Sequence, residues 1–278
     1  MIYKTIYLKD EYEFLGEDGR NPKVDIFLPS NLTELKREEQ KRPCIVICPG
    51  GAYLMCSQIE AEPVAFHFLP EGYNVFVLSY SVTPHCFPTQ LIEVSAVFDL
   101  IKRYASEWNC DTEKTVLMGF SAGGHLSAHY ANAFNIPQIK KYFPNSTKPK
   151  ASVLCYPVIS ANDAISHKKS FKFLLGHEPS SDEKEAFSCE NMVTYDTPPT
   201  FIWHTSLDEN VAVENSLVYA MALSKSDIPY ELHIYPFGRH GISTADLNTN
   251  NQLTPEVARN HVWMNAVKDW LDLTLNRN

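Results

Sequence analysis

The sequence predicts an α/β architecture: a mostly parallel central sheet with helices on both faces and an antiparallel extension at the amino terminus. Three observations predict it. Short continuous apolar runs, of the kind buried on both faces of a sheet, recur along the chain. Segments with helical spacing separate them, and that alternation implies parallel pairing with right-handed crossovers. The two opening segments instead alternate apolar and polar residues, as antiparallel strands do.

In chain order, Ile2 to Leu8 and Val24 to Leu28 are the alternating strands, with turn residues Asp18, Gly19, Asn21 and Pro22 between them. Cys44 to Cys48 is the first buried run, and Pro49-Gly50-Gly51 stops it. Asn74 to Ser79, Thr115 to Gly119, Ala151 to Tyr156 and Thr200 to His204 follow as similar strands, and Glu231 to Tyr235 as the last. Helical patterns cover Ala61 to Leu69, Gln90 to Trp108, Ala122 to Asn132 and Val213 to Ser224. A final helix spans Pro255 to Leu275, with Thr254 as its cap. Ser160 to Pro199 breaks the rhythm. It is polar apart from Phe171 to Leu175 and reads as a cap-like excursion over the sheet edge, not as a second core.

Length alone, 278 residues, does not separate one domain from two. A composition of 44% hydrophobic and 21% charged residues excludes a wholly disordered chain. A net charge of −9 disfavours nucleic acid as a partner, because phosphate backbones need a basic face. No apolar stretch approaches the ~20 residues of a membrane helix. Seven scattered cysteines cannot all pair within one chain and have no zinc-type spacing. With no secretory pattern at Met1 to Asp10, a reduced cytoplasmic setting is the expectation.

Gly119-Phe120-Ser121-Ala122-Gly123 matches G-x-S-x-G between a strand and a helix, the context that pentapeptide needs to carry a nucleophile. The abrupt turn strains Ser121, exposes its hydroxyl at the carboxyl end of the sheet and sets it beside the N–H groups of a helix start. Among ten histidines, His240 lies in a glycine-flanked loop after the last strand and is the expected base. His125 and His129 follow Ser121 on its own helix and read as packing residues, while His204 ends a strand behind the site. Asp208, just past that strand, is the expected acid, with the adjacent Glu209 as runner-up. The order Ser, Asp, His is that of α/β-hydrolases, unlike the chymotrypsin or subtilisin orders. Ala122 and Gly51 are the expected oxyanion donors, and Ala52 is a further candidate. No Gly-Lys-Ser/Thr or G-x-G-x-x-G supports a phosphate loop.

Together with Tyr80 to Pro88, Tyr156 to Ile159, Asp196 to His204, Asp208 to Asn215 and His233 to Gly241, these motifs resemble the α/β-hydrolase carboxylesterases of the acetyl-xylan-esterase-like, xylanase B-like sugar hydrolase family. The resemblance covers most of the chain from about Pro43 onward. It implies a serine esterase acting on short acyl, in particular acetyl, esters of sugars or oligosaccharides, with Ser121, Asp208 and His240 as its triad. Pro49 stands where a related lipase branch has histidine, and Ala52 replaces a glycine often found third in that loop. No metal or organic cofactor is expected. Tyr53, His85, Phe87, Tyr156 and Arg239 are candidate substrate contacts, with Tyr53 and Phe87 expected to crowd the acyl pocket and the excursion to shape the alcohol side. Two alternatives stay open: a serine peptidase of prolyl-oligopeptidase type, and a non-catalytic hydrolase-fold binding module. Self-association into a homo-oligomer is likewise open. Because Ser121, Asp208 and His240 must meet, residues 1–278 are expected to form one hydrolase domain.

Overall fold

A computed structural model describes residues 1–276 of the chain. Eight strands form one sheet: β1 Ile2–Tyr7, β2 Lys23–Leu28, β3 Arg42–Cys48, β4 Asn74–Ser79, β5 Cys110–Phe120, β6 Ala151–Cys155, β7 Thr200–Thr205 and β8 Tyr230–Tyr235. Their order is β1-β2-β4-β3-β5-β6-β7-β8. β1 pairs antiparallel with β2, and β2 with β4, while the remaining pairs are parallel.

The apolar runs are continuous because both faces of the sheet are covered. In β5, Val116, Met118 and Phe120 point to one face, where they meet Val64, Phe68, Trp203, Trp263, Val267 and Leu271. Leu117 points to the other, where it joins Leu91, Val94, Val97 and Leu126. The helices Glu62–Phe68 and Val262–Leu275 therefore lie on the first face, and Thr89–Arg103 and Ser121–Ala133 on the second. β3 and β5 sit side by side at the centre, with Cys48 opposite Gly119, so the loop after β3 and the turn after β5 leave the sheet together.

Several boundaries differ from expectation. The helix expected to reach Trp108 ends at Arg103. Beyond it Tyr104 stacks on Trp108, with ring centroids 4.5 Å apart, and Asn74 Nδ2 donates to the Trp108 carbonyl. β5 begins at Cys110 and not at Thr115, because a register shift between Arg42 and Cys44 carries the polar stretch Asp111–Lys114 along the edge of β3. The last helix is interrupted by a tight turn at Arg259–His261. There Asn260 Nδ2 donates to the Phe237 carbonyl and His261 Nδ1 to that of Thr244, so the break braces the segment that carries His240.

The excursion is also more ordered than its composition suggests. It contains the helices Lys168–Leu175, closed by Gly176 at φ +81°, and Ser181–Phe187, opened by a Ser180–Glu183 capping box. It packs on the helix Ser121–Ala133, not along an edge strand: Phe171 meets His125 edge-on, and the Phe187 carbonyl accepts from His125 Nε2 at 2.9 Å.

Candidate active site

Ser121 sits at the junction of β5 and its helix with φ +52°, a left-handed conformation that a serine rarely adopts and that the surrounding turn imposes. The turn is tight because the helix start presses on β3. A Cβ on Gly123 would lie 2.1 Å from the Cys48 carbonyl oxygen, so only glycine fits there. Ser121 is 6% exposed.

His240 Nε2 lies 2.7 Å from Ser121 Oγ, and His240 Nδ1 lies 2.6 Å from Asp208 Oδ2. A carboxylate can only accept, so Nδ1 carries the proton and Nε2 is free to accept from the serine hydroxyl. Asp208 is fully buried on its side chain. Its Oδ1 accepts the N–H groups of Asn210 and Val211, both at 2.9 Å. His204 adds a second imidazole. Its Nε2 stands 3.0 Å from the Val211 carbonyl and 3.2 Å from Asp208 Oδ2, so its N–H is shared between the two oxygens. Burial works to raise the Asp208 carboxyl. Hydrogen bonding to His204 and His240, the His240 charge and the Val211 N–H outweigh it and hold the group well below the usual carboxylate range. Glu209, the runner-up, is exposed, and it is Asp208 that faces His240.

The loop after β3 turns through three left-handed residues, Gly51 at φ +125°, Ala52 at +57° and Tyr53 at +60°. Its N–H groups have different fates. That of Gly50 is spent on the Glu60 carboxylate at 2.8 Å. Among the described residues, those of Gly51 and Ala52 donate to no protein acceptor. The loop lies against the nucleophile, since a Cβ on Gly50 would come 2.8 Å from Ser121 Cβ. Ala122, in the first turn of its helix, has an N–H with no intrahelical acceptor. Free donors therefore flank the serine on two sides.

With this geometry in place, the BD-FAE family profile matches residues 24–223. The chain belongs to the BD-FAE family. It has the α/β-hydrolase fold. It is 36% identical over 254 residues to endo-1,4-beta-xylanase B of Butyrivibrio fibrisolvens, covering 87% of this chain and 38% of that protein. It is 34% identical over 233 residues to the acetylxylan esterase of Xylanibacter ruminicola, covering 82% of this chain and 45% of that protein. The chain thus spans less than half the length of either. Among solved structures it resembles the acetyl ester-xyloside bifunctional hydrolase of Caldicellulosiruptor lactoaceticus, with a TM-score of 0.82, 33% identity, and 97% and 96% of the two chains covered.

The expected substrate contacts fare differently in this BD-FAE chain. Tyr53 and Tyr156 are each 1% exposed, and their hydroxyls are already engaged. Tyr53 Oη donates to His125 Nδ1 at 2.8 Å, and Tyr156 Oη donates to Glu60 Oε1 at 2.7 Å. Both are walls of the site and offer no free hydroxyl to a substrate. Phe87 stacks on His129 at 5.6 Å and meets Phe187 edge-on, so it belongs to the packing beneath the excursion and not to an acyl pocket. His85 is paired with Asp18 of the amino-terminal extension at 3.5 Å. Arg239 is exposed and donates to the His240 carbonyl and to Asn250, which steadies the loop that presents the imidazole. Among the described residues no group of three or more His, Cys, Asp or Glu is arranged to hold a metal ion.

His125 fits the packing role: it donates to Phe187 and accepts from Tyr53, and burial lowers its pKa to about 4. Two residues of the site escaped the sequence reading. Glu60, 3% exposed, lies between the glycine loop and Tyr156. Asn215 ties the start of the excursion to the helix after the acid loop, accepting from the Ile159 and Ser160 N–H groups and donating to the Ile165 carbonyl.

Proposed function

We propose that this chain hydrolyses short acyl esters, acetyl above all, of sugars or oligosaccharides through an acyl-serine intermediate on Ser121. The observation that carries the reading is the Ser121–His240–Asp208 alignment at 2.7 and 2.6 Å. Ser121 Oγ attacks the ester carbonyl while His240 Nε2 takes its proton. Asp208, held as a carboxylate, fixes the imidazole and stabilises the imidazolium. The tetrahedral oxyanion accepts hydrogen bonds from Gly51 and Ala122, with the Ala52 N–H beside them. Collapse breaks the bond to the alcohol, which leaves with the proton from His240. Water, deprotonated by His240, then attacks the acyl-serine; the bond to Ser121 Oγ breaks, His240 returns the proton to that oxygen, and the carboxylic acid leaves.

A small acyl group suits a serine only 6% exposed. The sugar assignment rests on the acetylxylan esterase and the acetyl ester-xyloside hydrolase among the relatives. The test is Ser121→Ala assayed with 4-nitrophenyl acetate and with an ester panel varying acyl length and sugar. The variant is expected to lose at least about 10⁴-fold in kcat, and the parent to prefer acetylated sugars by kcat/KM. Parental turnover by Ser121→Ala would sink the mechanism. Preference for N-acyl or proline-directed peptides would move the chain to the peptidase class.

A further inference from the structure

Glu60 is a buried carboxylate that the hydrolytic cycle above does not use. It begins no motif, yet it touches two parts of the machinery and reaches a third through one of them. Its Oε2 accepts the Gly50 N–H at 2.8 Å. Its Oε1 accepts the Tyr156 hydroxyl at 2.7 Å. That hydroxyl in turn accepts the Ser243 N–H at 3.1 Å, and the Tyr156 ring lies edge-on to His240 with centroids 5.0 Å apart. A second strand of the same tie runs from Ser243 Oγ to the Ile59 carbonyl at 2.6 Å.

The geometry matters because the glycine loop has more N–H groups than the oxyanion can use. A loop of three left-handed residues has neighbouring conformations that aim those groups elsewhere. Fixing the Gly50 N–H on an anion takes it out of competition and sets the orientation of the next two. The fit is tight: a Cβ at Gly50 would come within 2.7 Å of Glu60 Oε2 and 2.8 Å of Ser121 Cβ, so the carboxylate, the loop and the nucleophile are in mutual contact range. The Tyr156 link carries the same anchor to the loop that holds His240. A neutral hydrophobe at position 60 would leave the Gly50 N–H and the Tyr156 hydroxyl buried without an acceptor.

We propose that Glu60 is a positioning residue for the hydrolytic reaction: it clamps the oxyanion loop through Gly50 and registers it against the His240 loop through Tyr156 and Ser243. This rests on the triad reading above. Because the clamp acts on the donors that meet the oxyanion, its loss falls on the transition state and not on ground-state binding.

The experiment measures kcat and KM for 4-nitrophenyl acetate, per active site titrated with a fluorophosphonate, in Glu60→Gln, Glu60→Ala, Tyr156→Phe and the Glu60→Gln/Tyr156→Phe pair. Glu60→Ala is expected to lower kcat about 100-fold with KM changed less than about threefold, the size of losing one oxyanion donor. Glu60→Gln keeps an acceptor for Gly50 and is expected to recover about tenfold of that loss. The paired variant is expected to be less impaired than the product of its two single effects, since both cut one connection. If Glu60→Ala does not fold, Glu60→Gln and Tyr156→Phe decide the outcome. Parental kcat in Glu60→Gln and Tyr156→Phe, or a loss confined to KM, would overturn the proposal. Parental turnover in Ser121→Ala would instead overturn the triad, whatever the Glu60 variants do.

Discussion

Two buried carboxylates flank His240 and are treated in opposite ways. Asp208 is met by two imidazoles and two backbone N–H groups, and its pKa is held far down. Glu60 has one backbone N–H and one tyrosine hydroxyl, and burial wins: its pKa rises, although Tyr156, Gly50 and the nearby His240 pull it down. Burial is common to both. The number and charge of the donors decide the sign. A group that must face a forming imidazolium is therefore surrounded by donors, whereas one that anchors backbone needs only to be fixed.

Asp208→Asn tests the first environment and carries the largest expected effect. It leaves the shape but favours the wrong imidazole tautomer, so kcat is expected to fall about 10⁴-fold, with Glu209→Gln within about twofold of the parent. Equal losses in the two would erase the distinction. Gly50→Ala tests the second environment. Its Cβ would meet Glu60 Oε2, Ser121 Cβ and the Phe120 carbonyl inside 3 Å, so the loop must shift, and kcat is expected to fall about 100-fold in steady-state assays.

His129 extends the comparison to a buried group with no polar partner among the described residues. Burial, and then the neighbouring His125, lowers its pKa to about 3. A depressed histidine is neutral in the fold while the unfolded chain takes up protons below 6.5, so stability is lost as pH falls from there towards the folded pKa. At pH 5 this costs on the order of 2 kcal/mol for one such group. Asp208 has the same sign in a lower window, because its folded pKa is also depressed. Its contribution is intact above the ordinary carboxylate pKa and is lost only as pH falls through its depressed value. Acid lability between pH 6.5 and 4 should therefore come from the buried histidines. In urea melts, His129→Phe is expected to match the parent near pH 7.5 and to exceed it by about 2 kcal/mol at pH 5.

The smallest expected effect is that of Tyr53→Phe. It leaves His125 Nδ1 without a donor and is expected to cost about 1 kcal/mol of stability, with kcat/KM within about threefold of the parent. A large rise in KM would return Tyr53 to the substrate surface.

The strands were legible because a sheet covered on both faces writes itself as apolar runs, as in Cys44–Cys48 and Val116–Phe120. The positions of Ser121, Asp208 and His240 were legible for a related reason: each follows a recognisable strand, and parallel strands deliver their carboxyl ends to one edge. Glu60 was not. It lies two residues from the exposed Glu62 in a short polar segment, and only the folded loop buries one and not the other. The helices of the excursion were not read, although the Ser180–Glu183 capping box and the helical spacing of Phe171 and Leu174 carry their signal. Tyr53 and Phe87 misled because an aromatic residue beside an active-site motif looks the same in sequence whether it faces substrate or a histidine behind the wall.

The central claim is that Ser121 is the nucleophile, and covalent labelling tests it most directly. A fluorophosphonate should add once per chain, the adduct should map to Ser121 by peptide mass spectrometry, and ester hydrolysis should vanish in proportion to labelling. Loss of activity with Ser121 unmodified, or full activity with Ser121 labelled, would contradict the account.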